Sequence, residues 1–126
     1  MRLCGDEWMA HLGIDLQDET ARERIEVLFW QLAQDMLRLR QSVILESGFW
    51  LRSDRGEKRL GARRLGVTVE LRYLKVPLEE LCRRLEARNR MGAWGKAPIR
   101  RDQIEGWSQL FQAPDRAELA LFDPPT

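Results

Sequence analysis

Two carboxylates stand where short apolar segments end, and they are the first candidates for chemistry. Glu46 directly follows the apolar run 43–45, and Asp6 follows the segment 2–5. In an open parallel sheet, ligands bind just beyond the carboxyl ends of the strands, so acids placed there face a site and not the core. Each acid also has a structural interpretation, Asp6 as a cap of the turn before Trp8 and Glu46 as a solvated strand end.

A group of arginines in the second half of the chain is the next candidate. It consists of Arg83, Arg84, Arg88 and Arg90. Arg84 and Arg88 are four residues apart and share one face of a helix, so this pair is favoured. The planar guanidinium fork suits phosphate binding. Salt bridges to Glu80 and Glu86 are the alternative explanation of these side chains.

Positive charge is concentrated in the middle of the chain. Residues 1–51 carry nine acids and five bases (net −4), residues 52–101 carry six acids and fifteen bases (net +9), and residues 102–126 carry five acids and one base (net −4). A segment of this charge favours an anionic ligand, although solvated helix faces and local ion pairs explain much of it. Residues 100–111 are too short for a helix-turn-helix, so nucleic acid is an unfavoured partner.

Composition predicts a single cytoplasmic domain of 126 residues. The longest apolar run, 27–30, has four residues, far from the ~20 that a membrane span requires, and no apolar segment of a signal peptide follows Met1. Cys4 and Cys82 are too far apart for a metal-binding motif and are predicted to be free thiols in a reducing compartment. His11, the only histidine, receives no role, and no metal ligands are assigned.

Periodicity predicts alternating strands and helices. The predicted strands are 43–46, 67–75 and, more weakly, 2–5 and 118–122. The predicted helices begin at Thr20, with a capping box to Glu23, and cover 53–65, 77–89 and a short stretch within 100–111. The strand at 43–46 is predicted to be buried on both faces. The long first helix is predicted to bury one face formed by Ile25, Leu28, Phe29, Leu32, Met36 and Leu39. The alternation indicates an α/β fold with a three-layer parallel sheet.

Several stretches follow one another in a characteristic order. They are Asp6-Glu7-Trp8-Met9, Ser42-Val43-Ile44-Leu45, Gly48-Phe49-Trp50, Tyr73-Leu74-Lys75-Val76-Pro77-Leu78-Glu79-Glu80-Leu81, Arg83-Arg84-Leu85-Glu86-Ala87-Arg88-Asn89, and Trp107, Leu110 and Phe111 with Pro114-Asp115 and Glu118. The chain thereby resembles the P-loop kinase-like proteins often labelled AAA domain ATP-binding proteins, a group similar to zeta toxin, chloramphenicol phosphotransferase and polynucleotide kinase. The resemblance covers nearly the whole chain.

One motif of that family is missing from these residues. Such proteins open with a strand and G-x-x-x-x-G-K-[ST], whose amides, lysine and hydroxyl hold the nucleotide phosphates and magnesium. None of the nine glycines here is followed by Lys-Ser or Lys-Thr. The resemblance therefore implies an amino-terminally shortened P-loop NTPase-like sheet, which lacks its first, central strand and its P-loop. ATP and Mg²⁺ are expected for the family and are expected to bind weakly or not at all to this chain.

The resemblance also implies roles for the candidate residues. Asp6 would accept the proton of the hydroxyl being phosphorylated, and Glu46 stands where the family more often has aspartate. Arg84 and Arg88 would act in catalysis on a helix leading to a mobile lid-type loop at 90–100. Two further arginines would bind the nucleotide, namely Arg83 and Arg90. Phe49 and Trp50 either line an acceptor pocket or belong to the core.

Two functions are carried forward from the sequence. The first is an ATP-binding phosphotransferase of the P-loop kinase class, which acts on a hydroxyl of a small molecule or nucleotide and is expected to be inactive as this shortened chain. The alternative is a non-catalytic basic module that binds nucleic acid or an acidic partner, with an affinity that falls steeply as salt is added.

Overall fold

The computed structural model describes residues 1–91 and 100–125. The two strands are β1 (Arg2–Cys4) and β2 (Ile44–Glu46). The helices are α1 (Gly5–His11), α2 (Glu19–Arg38), α3 (Arg52–Arg64), α4 (Leu78–Arg90), α5 (Arg101–Leu110) and α6 (Arg116–Leu119). The predicted helices are thus confirmed to within a few residues at their ends. The predicted lid at 90–100 lies largely outside the described residues.

The described residues contain one small parallel sheet. Strands β1 and β2 pair side by side, with Arg2 opposite Ile44, Leu3 opposite Leu45, and Cys4 opposite Glu46. The parallel pairing is as predicted, and a sheet of two short strands is consistent with the predicted incomplete sheet. Burial of β2 on both faces is wrong, because Ile44 is 61% exposed and only β1 pairs with this strand in the described ranges.

The segment 67–75, predicted as a strand, forms no strand in the structure. Its side chains alternate as predicted, with Val67, Val69 and Tyr73 half-buried and Leu74 exposed. The backbone of Val69, however, bonds to the end of the chain: its amide donates to Asp123 Oδ2 (2.7 Å) and its carbonyl accepts from the Asp123 amide (2.8 Å). The alternation therefore indicates a half-buried segment. The backbone of Val69 bonds to the side chain and the amide of Asp123 and not to a strand.

The core lies where α2 packs against the sheet. Leu3, Phe29 and Ala33 are buried together, and Ile25, Trp30, Val43 and Leu45 pack around them. The buried face of α2 is narrower than predicted, because Leu28 is 61% exposed and Leu39 is 73% exposed. Trp8 of α1 meets Phe29 edge to face at 4.9 Å between ring centroids, which fixes α1 on α2.

Three helices end in the same hydrogen-bonded turn. After α1 and α3 the left-handed residue is glycine, Gly13 (φ 71°) and Gly66 (φ 72°). After α2 it is Arg40 (φ 62°), where the amide of Arg40 donates to Leu37 and that of Gln41 donates to Met36. A side chain at this position costs free energy that glycine does not.

The start of α2 differs from the predicted capping box. The helix begins at Glu19 because the Asp18 carboxylate accepts from the Ala21 amide (3.0 Å), so the cap is Asp18 and not Thr20. Likewise the weak strand predicted at 118–122 is wrong. Asp115 caps α6 there, accepting from the Glu118 amide (2.7 Å), and a short helix results.

Helix α3 lies between α2 and the end of the chain. Gly61 faces Trp30, and a Cβ placed on Gly61 would lie 2.4 Å from Cζ2 of that ring, so only glycine allows this approach. Helices α4 and α5 pack against each other. No helix among the described residues is long and apolar enough to cross a membrane. Both cysteines are buried and free, as predicted.

Candidate functional site

The carboxyl edge of the β1–β2 pair brings the two predicted acids to one side of the sheet. Glu46 is the last residue of β2 and lies opposite Cys4, the last residue of β1. Asp6 follows two residues after Cys4, in the first turn of α1. The parallel arrangement of the strands, which the sequence predicted, is what places both acids at the same end.

Each acid is held by an arginine. Arg2 on β1 donates to Glu46 through Nε and to Glu7 through Nη1 (2.6 Å), so one guanidinium bridges two carboxylates. These hydrogen bonds raise the pKa of Arg2, chiefly through Glu46. Asp6 accepts from Arg22 Nη1 at 2.6 Å, and Arg22 also donates to the Leu16 carbonyl.

Asp6 keeps part of its surface in solvent despite this contact. Its side chain is 49% exposed, whereas that of Arg22 is 25% exposed. The carboxylate is therefore fixed from the side of α2 and open on another side, so a hydroxyl group can approach it. A carboxylate in such a position can accept a proton from a bound alcohol.

The turn after Glu46 has a strained backbone. Phe49 has φ 44°, a left-handed conformation that is unusual for a bulky residue. A Cβ on Gly48 would lie 2.4 Å from Nε1 of Trp50, so the turn needs glycine there. The Trp50 ring in turn lies 5.9 Å from that of Trp107. Strain of this kind next to a candidate acid is typical of functional sites.

The predicted arginines lie on α4, and two of them form ion pairs on the helix surface. Arg83 donates to both oxygens of Glu80 (2.6 and 2.8 Å), and Arg84 Nε also donates to Glu80 (2.8 Å). Hydrogen bonds, with Arg83 the larger cause, lower the pKa of Glu80 to about 2. Arg88 lies one turn beyond Arg84. The salt bridges considered as the alternative explanation are thus present for Arg83 and Arg84.

Arg90 ends the helix that carries the predicted arginines. It is the last residue of α4, and residues 92–99 of the predicted lid lie outside the described chain. The main packing partner of α4 is α5, to which Arg101 also connects it through Glu79. Trp107 of α5 lies 5.9 Å from Trp50 between ring centroids, so the α4–α5 pair reaches the turn that follows Glu46 through α5.

The residues present do not fit a complete site for a metal–nucleotide complex. In the described ranges no three His, Cys, Asp or Glu side chains are grouped to hold a metal ion. The sequence has no glycine-rich phosphate-binding motif, and Asp6 and Glu46 are each paired with an arginine. The strand edge thus presents two carboxylates that are each fixed by an arginine.

A cavity lies at the other end of β2. It has a volume of about 670 Å³ and is lined by residues of the α2 and α3 ends, among them Arg40, Gln41, Ser42 and Thr68. Two helix carboxyl ends face this region, and their carbonyl dipoles disfavour an anion. The chemistry at the strand edge is a better argument for a site than the volume of this cavity.

Sequence reasoning missed the most buried polar group of the described chain. Arg55 and Glu118, each 3% exposed, form a two-bonded ion pair (Nε to Oε2 2.7 Å, Nη2 to Oε1 2.8 Å). Hydrogen bonding to Arg55 lowers the pKa of Glu118, against the opposing effect of burial. The pair joins residues 63 positions apart. No local sequence signal distinguishes either residue from a surface charge.

Comparison with known proteins identifies the family. A family model described as an AAA domain matches residues 1–114. The chain therefore belongs to this AAA domain family, whose members have an α/β fold of the P-loop NTPase type and form a class of nucleotide-binding domains. No curated protein and no solved structure matches the chain.

Proposed function

We propose that this AAA-domain chain is a phosphotransferase domain of the P-loop kinase class that phosphorylates a hydroxyl of a small molecule or nucleotide. The observation that carries the proposal is the placement of Asp6 and Glu46 at one carboxyl edge of a parallel strand pair. Membership of the AAA family over residues 1–114 supports it. The two buried free thiols are compatible with a reducing cytoplasm, which we propose as its location.

Asp6 would accept the proton of the acceptor hydroxyl. Arg22 holds this carboxylate from one side at 2.6 Å, and the exposed half of the side chain is free for the acceptor. Glu46, held by Arg2, would orient the acceptor or a water molecule beside it. Positioning and charge placement dominate phosphoryl transfer, so a fixed carboxylate is the main contribution that this edge can make.

The arginines of α4 would act on the phosphates. Arg84 and Arg88 would neutralise charge in the transition state, and Arg83 and Arg90 would help to hold the nucleotide. Arg83 and Arg84 donate to Glu80 in the structure, so they would have to exchange these hydrogen bonds for phosphate oxygens. Exposed ion pairs of this kind contribute little free energy, so replacing them with bonds to phosphate costs little free energy.

We propose ATP and Mg²⁺ as the cofactors of the P-loop kinase class to which this domain would belong. The 126 residues contain no G-x-x-x-x-G-K-[ST] motif, and scattered arginines cannot replace its amides and lysine. We therefore expect weak binding of Mg-ATP and little turnover by this polypeptide. Binding of the acceptor, and not the rate of turnover, is accordingly the property to measure.

The alternative of a basic module is less favoured. Several arginines of the positively charged segment are already paired, for example Arg52 with Asp115, Arg55 with Glu118 and Arg63 with Asp123. Acids from the negatively charged end of the chain thus neutralise part of the charge on which nucleic-acid binding would depend.

Acceptor binding can be measured by thermal shift. The purified chain is heated with a panel of nucleosides, nucleotides and small hydroxyl compounds, alongside variants D6N and D35N. Asp35 is an exposed acid on α2 that pairs with Arg38, so D35N is a matched control. We expect at least one class of hydroxyl compound to raise the melting temperature of the wild type and of D35N, but not of D6N. A panel without any stabilising compound, or one that stabilises D6N equally, would overturn the proposed function.

A further inference from the structure

Four arginines form a continuous face on α3. They occur at intervals of three, four and four residues, which places them on one side of the helix: Arg52, Arg55, Arg59 and Arg63. The opposite side, with Gly61 and Lys58, packs against the Trp30 ring. The arginine face is therefore turned away from α2.

The end of the chain covers this face. We call residues 115–123 the C-terminal segment; it includes α6. The contacts run in parallel order along the two elements: Arg52 to Asp115 (3.4 Å), Arg55 to Glu118 (2.7 Å), Arg59 to the Phe122 ring (5.9 Å to its centroid), and Arg63 to Asp123 (2.6 Å). Each arginine of the face thus has its own partner in the C-terminal segment.

This segment lies beyond the part of the chain that the AAA family matches, which ends at residue 114. It is nevertheless docked by a nearly fully buried ion pair, since Arg55 and Glu118 are each 3% exposed. No described buried side-chain polar atom lacks a hydrogen-bond partner, so the docking is complete in its polar contacts.

Arg55 connects the C-terminal segment to the turn after β2. Besides Glu118, its guanidinium donates to the carbonyl of the strained Phe49 (2.7 Å) and to that of Gln112 (2.6 Å). Gln112 bonds to the same turn, because its amide donates to the Trp50 carbonyl (2.7 Å) and its side chain accepts from the Arg52 amide (2.9 Å). A single buried guanidinium therefore ties α3, the turn and the approach to α6 together.

We infer that the C-terminal segment is a positioning element for the turn at residues 47–51, and that Arg55 and Glu118 are its positioning residues. Glu118 orients the Arg55 fork, and the fork in turn holds the Phe49 carbonyl while that residue keeps its left-handed conformation. The turn follows Glu46 directly. Any effect of this positioning on acceptor binding rests on the proposed function. The positioning of the turn by Arg55 and Glu118 does not rest on it.

Amide hydrogen exchange tests this role in the intact chain. Two amides report the state of the turn. The Arg52 amide donates to the Gln112 side chain, and the Gln112 amide donates to the Trp50 carbonyl. Variant R55K keeps a charge beside Glu118 but cannot make the four hydrogen bonds of the guanidinium. Variant R38K, at an exposed ion pair on α2, is the matched control.

We expect R55K to speed exchange at both reporting amides at least tenfold, while amides of residues 25–36 in α2 stay within threefold of wild type and R38K changes neither. The double variant R55M/E118M fills the same space with apolar side chains but cannot make the hydrogen bonds. It should show the same faster exchange at the two reporting amides. Unchanged exchange at the two amides in R55K would overturn the inference. Equal acceleration over the whole chain would also overturn it, because it would indicate a general structural role.

The result is separable from the proposed function. A chain that binds no hydroxyl compound but shows the local exchange response would overturn the phosphotransferase proposal and leave the positioning role in place. If R55M/E118M fails to fold, R55K alone decides the matter, because it retains the buried charge pair.

Discussion

Arg55 and Glu118 form a buried ion pair, each residue being 3% exposed. Removing one partner of a buried pair leaves the other charge without compensation, which typically costs about 3–5 kcal/mol. We expect E118Q to lower the free energy of unfolding by an amount in this range, measured by urea denaturation. D35N, which removes an exposed acid, should change it by less than about 0.5 kcal/mol. An E118Q effect as small as that of D35N would contradict the burial and pairing of Glu118.

The same residue gives a pH dependence with a defined sign. Hydrogen bonds from Arg55 make the pKa of Glu118 lower in the folded protein than in the unfolded chain. The stabilisation is therefore fully present above the unfolded value and is lost as the pH falls through the folded value. Stability of the wild type should decline below about pH 4 more steeply than that of E118Q. Parallel curves for the two proteins would show that Glu118 is not the responsible group.

Residue-level reasoning from sequence placed two acids near strand ends, as the structure has them, but did not predict this pair. Asp6 and Glu46 could be predicted because the end of an apolar run marks the end of a strand, which is a local signal. Arg55 and Glu118 are 63 positions apart, and neither has a local pattern that distinguishes it from a surface charge. Only their contact in the folded chain identifies them.

At the scale of elements, two glycines of α3 provide a matched test of packing. Gly56 has open space around its Cβ position, whereas a Cβ on Gly61 would lie 2.4 Å from the Trp30 ring. G56A should stabilise the protein by about 0.5–1 kcal/mol, since alanine is the better helix former. G61A should destabilise it by about 1–3 kcal/mol, because Trp30 would have to leave its place against the core. Thermal unfolding of both variants measures the difference. Equal effects would contradict the packing of α3 on α2.

The helix ends provide a second test. Arg40 occupies after α2 the left-handed position that Gly66 occupies after α3. We expect R40G to stabilise the protein by about 1 kcal/mol by relieving the strain of a side chain in this conformation. G66A should have the opposite sign and similar size, because open space surrounds Gly66 and only its backbone conformation opposes alanine. Chemical denaturation measures the change in the free energy of unfolding of each variant. Changes of the same sign for R40G and G66A would contradict this account.

The elements themselves were predictable where the signal was local. Helices α2 to α5 followed from periodicity and from Pro77 and Gly66 at helix ends, whereas α1 was not predicted and part of α6 was predicted as a strand. The segment 67–75 was mistaken for a strand, because alternating side chains report half-burial and not a hydrogen-bonded partner. In the structure the partner of Val69 is Asp123, which no local pattern could indicate.

At the scale of the whole molecule, the packed structure extends past residue 114, where the family match ends. A chain ending at Pro114 would lose Glu118 and leave Arg55 buried without its carboxylate. We expect this truncation to be unfolded or strongly destabilised by circular dichroism and urea denaturation. A chain ending at Asp123 keeps the ion pairs of the C-terminal segment and should match the full protein. If the chain that ends at Pro114 proved as stable as the one that ends at Asp123, the docking of this segment would be contradicted.

The carboxyl edge of β1 and β2 is the central site of the proposed function. The most direct measurement is an NMR titration of the isotope-labelled chain with a pool of nucleosides, nucleotides and small hydroxyl compounds. We expect amide shifts concentrated at residues 5–8 and 46–50, which D6N abolishes and D35N retains. Shifts concentrated at residues 37–43 and 65–68, around the cavity at the other end of β2, would contradict this location of the site.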